Sequence, residues 1–315
     1  MLRISPPYLL EKFDNLPDEF LLADFLDGWD VNLNNHYFQL LDQRAQSQGR
    51  IFTVWYPHIT PHSAREQYKN LKIKFALKIH NNVCFQPLKQ YNIHPELNFK
   101  NFVCSFNGSA HISRQFLTSI LKKFNWFNPN YCSKNFCFTS DMIDGHLGNY
   151  LTSEQHRIYQ KFFLNDDTFG QTVYSFGFVR FNHSKNIYNL EHKLTESFLH
   201  IVSETIGTSH YPFVTEKFLY SIVTRGLFLC YGQPGWHDHL EKYYGFKKYT
   251  RLFDYSFDSI QNPVERLVEL MCMISKFSNL TAQDWHDLYL IEQETIEYNY
   301  NHYFSGDYLQ CLEQA

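Results

Sequence analysis

The sequence has an odd number of cysteines, seven in 315 residues, and no Cys-x-x-Cys pair. A disulfide framework or a zinc ribbon is disfavoured, and free, mostly buried thiols in a reducing compartment are expected. No apolar stretch approaches the roughly 20 residues needed to cross a bilayer. The segment Met1–Pro7 lacks an apolar core followed by a small-residue cleavage site. These features lead to the expectation of a soluble, cytoplasmic protein with no membrane span. Basic runs are also missing. The densest cluster is Lys69, Lys72, Lys74 and Lys78, and the net charge is -4. Broad nucleic-acid binding by overall charge is therefore unsupported, while a local basic cleft remains open. There is neither a glycine-rich dinucleotide fingerprint nor a Gly-Lys-Ser/Thr phosphate loop. Internal repeats and low-complexity tracts are absent as well.

What is present is apolar material. Hydrophobic residues make up 44% and charged residues 19%, enough to bury a core and too little charge for a disordered chain. The length fits two domains of ordinary size or one large one. Strands are expected at Phe20–Phe25, at Ile51–Tyr56, where β-branched and aromatic residues run up to Pro57, and at the alternating Lys72–Ile79. A helix is expected over Asn34–Gln48. The polar, proline-bearing stretch Asn92–Lys100 marks a boundary. It divides the chain into an N-terminal domain, 1–98, a C-terminal domain, 99–300, and a tail, 301–315. Beyond the boundary come a strand at Phe102–Phe106, a turn at Asn107–Ser113 and a helix at Ser113–Phe124. Asp141–Asn189 reads as irregular. Strands follow at Leu199–Ser203 and Leu227–Tyr231, with helices at Thr215–Thr224, Gly235–Tyr244, Val264–Phe277 and Ala282–Asn299. Strands alternating with helices define an α/β fold with parallel sheets.

The most informative stretch runs from Ser203 to Trp236. Glu204 stands at the carboxyl edge of a strand, and a loop leads to Thr215, expected to cap a helix whose first turn holds Glu216 and Lys217. Carboxyl edges of parallel strands facing helix starts are where α/β proteins bind nucleotides. Lys217 runs against the usual charge preference of a helix start, which makes sense if its partner is a diphosphate. Taken alone, Thr-Glu-Lys is an ordinary solvated helix start.

The wider pattern is more specific. Phe213-Val214-Thr215-Glu216-Lys217-Phe218, preceded by Glu204 and followed by Gly226 and Leu229-Cys230-Tyr231-Gly232, resembles the donor motif of the GDP-fucose-dependent fucosyltransferases. Cys104-Ser105-Phe106-Asn107, with Arg114 seven residues beyond Asn107, resembles that family's serine-asparagine-to-arginine motif. The resemblance implies a GT-B architecture, two Rossmann-like domains facing across a cleft. It also implies an inverting glycosyltransferase with no cofactor, whose donor is a nucleoside-diphosphate sugar. The donor would contact Ser105, Asn107, Phe213, Val214 and Thr215. Arg114 and Lys217 would neutralise the diphosphate, Glu216 would accept ribose hydroxyls, and Glu204 would lie near the sugar or the catalytic centre. Phe213 stands where the family carries tyrosine and Thr205 where it carries asparagine, so the reaction class transfers and the sugar does not. No Asp-x-Asp of the metal-dependent glycosyltransferases occurs. The acceptor is left open between a glycan and a nucleic-acid base, and so is a catalytically inert nucleotide-binding relative.

An inverting transfer also needs a general base. The acidic candidates are Asp24, Asp27, Asp30 and Glu96, with Asp27 and Asp30 favoured because Asp27-Gly28-Trp29-Asp30 is a turn with an aromatic for sugar stacking. Trp55, Tyr56 and His58 could line an acceptor cleft, or could simply be aromatics at a strand end. The histidine pairs His58/His62 and His237/His239 suggest metal at first sight. Pro57 and Pro61 disfavour a helix for the first pair, and the second would face different sides of one, so no metal site is expected.

Overall fold

The computed structural model describes residues 2–4, 16–22, 35–56, 65–76, 88, 93–95, 99–108, 112–134, 183–204, 212 and 214–313. It is an α/β structure containing two four-stranded, wholly parallel sheets. The first comprises β1 (Leu2–Ile4), β2 (Glu19–Leu22), β3 (Phe52–Tyr56) and β4 (Leu71–Phe75), hydrogen-bonded in that order. Helix α1 (Asn35–Ser47) packs on it because Phe38, Leu41 and Ala45 recur at helical spacing and meet Phe20, Phe52, Val54 and Tyr56. On β4, Leu71 and Ile73 are buried while Lys72 and Lys74 are exposed, the period of two expected of a sheet with one wetter face.

The second sheet comprises β5 (Asn101–Asn107), β6 (Cys132–Lys134), β7 (Ser197–Ser203) and β8 (Leu227–Tyr231), in the spatial order β6-β5-β7-β8. All residues of β7 and β8 are buried, so both faces are covered. Helix α2 (Ile112–Lys123) follows β5 and buries Phe116, Leu117, Ile120 and Leu121. Helix α3 (His183–Thr195) precedes β7 and buries Ile187, Leu190 and Leu194. A 3-10 turn (Glu216–Phe218) and the short α4 (Leu219–Val223) link β7 to β8. Then come α5 (Trp236–Tyr244), α6 (Pro263–Ser275), α7 (Ala282–Ile291), α8 (Gln293–Ser305) and α9 (Asp307–Glu313). No helix among the described residues is long and apolar enough to cross a membrane.

Several expectations change. The stretch taken as irregular contains the start of α3 at His183, and residues 141–182 lie outside the described set. The expected helix over Ala282–Asn299 is two, broken at Glu292 (φ -101, ψ 6), whose buried carboxylate accepts the backbone N–H groups of Arg251 and Leu252. Residues 301–315 were expected as a tail, yet Tyr303, Tyr308 and Leu312 belong to the main core. The expected strands beyond Leu22 and Phe75 fall partly on residues outside the described set.

Candidate functional site

The chain passes from β5 to β6 on one side of β5 and then to β7 on its other side. At such a reversal the connections leave in opposite directions, opening a crevice at the carboxyl ends of the two strands. Cys104 pairs with His200, and the same offset brings Asn107 level with Ser203. Both motifs therefore exit the sheet at this switch point. Asn107 and the first turn of α2, with Arg114, come from one side. Glu204 and Thr215–Lys217 come from the other.

Glu204 is fully buried. Its backbone N–H donates to Tyr231 O at 3.1 Å, tying it to the end of β8. Its Oε1 accepts the Thr215 N–H at 2.9 Å and its Oε2 accepts the Thr215 hydroxyl at 2.7 Å. Lys217 Nζ donates to Thr215 Oγ1 at 2.6 Å and lies 3.5 Å from Glu204 Oε2 and 3.7 Å from Glu216 Oε1. Burial pushes the Arg114 guanidinium down to about 10, so it stays protonated at neutral pH, and Glu204 and Glu216 both pull it back up. Lys217 thus approaches both carboxylates, and Arg114 feels the charge of the same two groups. The Lys217 and Glu216 side chains keep about a fifth of their surface exposed, at 22% and 21%, so this edge of the cluster reaches solvent.

Two roles assigned from sequence change here. Thr215 makes no capping hydrogen bond, since its hydroxyl serves Glu204 and Lys217. Its N–H is taken by Glu204, and the α-helical part that follows spans five residues. The expected cradle of free amides on a helix dipole is therefore replaced by side-chain cations. Glu204, sealed from solvent, does not have the exposure of a catalytic group.

On the β5 side, Asn107 Nδ2 donates to Ser105 Oγ at 3.1 Å and Ser133 O at 3.3 Å, while its N–H donates to Ser133 Oγ at 3.1 Å. Asn107 Oδ1 and Ser113 Oγ, both buried, have no hydrogen-bond partner among the described residues. A buried polar atom without a partner is costly unless a ligand or water completes it. Sequence reasoning missed Ser113, and its place beside Arg114 in the first turn of α2 was the available signal. No acidic residue stands in that turn.

The cluster rests on a stiff floor. His200 on β7 lies 2.8 Å from Leu194 O through Nε2 and 2.8 Å from Ser221 Oγ on α4 through Nδ1. A carbonyl can only accept, so Nε2 carries the proton and Nδ1 accepts from Ser221. Burial pushes His200 down to about 4, which keeps it neutral. Gly226 sits against this ring, where an added Cβ would lie 2.1 Å from Cε1. Phe218 locks the other end, with its ring 5.2 Å from Phe246 and 5.8 Å from Trp236. Val214 is buried beside it.

Asp24, Asp27, Asp30, Glu96, Phe213, His58, His62 and Lys78 lie outside the described residues. Trp55 is half-buried, with Lys74 Nζ 5.0 Å from its ring centroid, and Tyr56 belongs to the core. His237 is buried, accepts the Cys230 N–H through Nε2 at 3.0 Å, and its Nδ1 lies 3.0 Å from Asp258 Oδ1 without the alignment of a hydrogen bond. His239 packs on Tyr243. Cys104, Cys132 and Cys230 are buried free thiols.

Compared with known proteins, the chain matches no family model, no curated sequence and no solved structure.

Proposed function

We propose that the chain is a glycosyltransferase that binds a nucleoside-diphosphate sugar at the β5/β7 switch point and transfers the sugar to an acceptor hydroxyl without a metal. The observation that carries this is the approach of Lys217 to Glu204 and Glu216, at 3.5 and 3.7 Å, at the strand exit beside the one that carries Arg114, whose charge the same two carboxylates stabilise. Sugar transfer leaves a nucleoside diphosphate with growing negative charge, and fixed cations in a part-buried site stabilise such charge without reorganising. In this arrangement Arg114 and Lys217 face the diphosphate, Glu216 accepts from the ribose hydroxyls, and Asn107 Oδ1 and Ser113 Oγ take donor groups of the same ligand. The second sheet would be the donor half of a GT-B pair and the first its acceptor half, with the base sought at Asp27 or Asp30. The two motifs resembling the fucosyltransferases support this. The acceptor is the hydroxyl of a glycan or of a modified nucleic-acid base, and the exposed Lys72 and Lys74 on the face of Trp55 favour the latter.

The test is calorimetry with UDP, GDP, CDP and their sugars, the best binder being chosen by ligand-induced thermal stabilisation. Lys217→Ala and Arg114→Ala should each weaken binding by about 1–3 kcal/mol, the scale of a lost charge-assisted hydrogen bond. Unchanged affinity in both folded variants would refute the site. Tight binding with no transfer to any acceptor would identify an inert nucleotide-binding protein instead.

A further inference from the structure

A buried carboxylate beside the seat of a polyanion costs Coulomb energy, so Glu204 calls for a reason. With no ligand bound, a part-buried Lys217 ammonium is an unfavourable charge unless compensated. Glu204, 3.5 Å away, compensates it, and its geometry does more. The Thr215 hydroxyl donates a hydrogen bond to Glu204 at 2.7 Å and accepts one from Lys217 at 2.6 Å. The ammonium is thereby fixed through a hydroxyl relay. Glu204 cannot drift, because its own N–H is bound at the end of β8 and its Oε1 holds the Thr215 N–H.

We propose that Glu204 is a positioning residue, which holds Lys217 in place for the donor's diphosphate through Thr215 and makes no contact with the reacting sugar. This rests on the proposed diphosphate site and refines it. The sign of one substitution separates positioning from plain charge. Glu204→Gln removes a negative charge, so a purely electrostatic role demands tighter anion binding. A positioning role demands weaker binding, because the amide must turn a donor towards Thr215 and Lys217.

The probes are inorganic pyrophosphate and the best-binding nucleoside diphosphate, titrated calorimetrically into the full chain, with thermal unfolding recorded for every variant. Glu204→Gln should bind both probes about 10- to 100-fold more weakly. Thr215→Val, which keeps the shape and deletes the relay, should lose a comparable factor, and Thr215→Ser should return to within about threefold of the parent. Folded Glu204→Gln that binds as well as the parent or better overturns the positioning role alone. Should Glu204→Gln not fold, the threonine pair decides: a Thr215→Val chain with parental affinity overturns the proposal, and loss rescued by serine supports it. A parent chain that binds no diphosphate overturns the proposed function and this role together.

Discussion

β4 and β7 are both parallel strands, yet β4 exposes alternate residues whereas β7 exposes none. The first sheet is packed by α1 on one face, and on the other Leu21 and Ala76 gather around a half-buried Trp55 while Lys72 and Lys74 stay in water. The second sheet is closed on both faces, and its core runs from Leu88 to Leu312. The difference is instructive because the cation cluster stands on the closed sheet. Strand ends that must hold charged groups to within tenths of an ångström are best carried by a fully packed scaffold. An alternating sheet offers a surface rather than a socket.

The sharpest way to break this comparison is to add one methyl group to each half. Gly226→Ala drives a Cβ into the doubly bonded His200 ring, and we expect about 3 kcal/mol of destabilisation or more. The counterpart Gly49→Ala meets no atom within 4 Å and pays only for its φ of +62, about 1–2 kcal/mol. Urea unfolding of both variants measures this, and equal losses would erase the distinction. Next in size is an acid effect. His200 is neutral in the fold with its pKa near 4, against 6.5 when unfolded. Between those values the unfolded chain binds the extra proton, so stability falls as pH drops from about 6.5 to about 4, by up to about 3 kcal/mol. Amide exchange should show β7 and β8 losing protection over that window more than β3 and β4 do. The smallest effect belongs to the open face. Lys74→Ala removes an exposed contact with Trp55 and should cost only about 0.5 kcal/mol by thermal unfolding.

The second sheet was largely legible from sequence. Leu227–Tyr231 is an unbroken apolar run, Phe102–Phe106 and Leu199–Ser203 are interrupted only by Ser105 and by His200 and Ser203, and each falls inside an observed strand. Helix α2 was located within one residue because its buried positions recur at helical spacing. β1 was missed, since three residues carry no period. The break at Glu292 depends on backbone groups of Arg251 and Leu252, some 40 positions earlier, which no local pattern encodes. The site divides in the same way. That Glu204 and Lys217 lie close together agrees with motif order, but that Glu204 consumes the Thr215 amide could not be read, because the bond spans a loop of 11 positions whose path no local pattern encodes.

The last helices reach back to the segment between the two sheets. Tyr303 Oη accepts the Leu88 N–H at 3.0 Å, and Arg225 bridges Ile93 O, at 2.9 Å, to Glu297 on α8, at 2.7 Å. Synthesis runs the other way. Tyr303, Tyr308 and Leu312 are synthesised after every strand of the second sheet whose core they join, so the first sheet can form during translation before that core is complete. Ending the chain at 300 would remove the residues that close its core and leave the crevice without a finished frame.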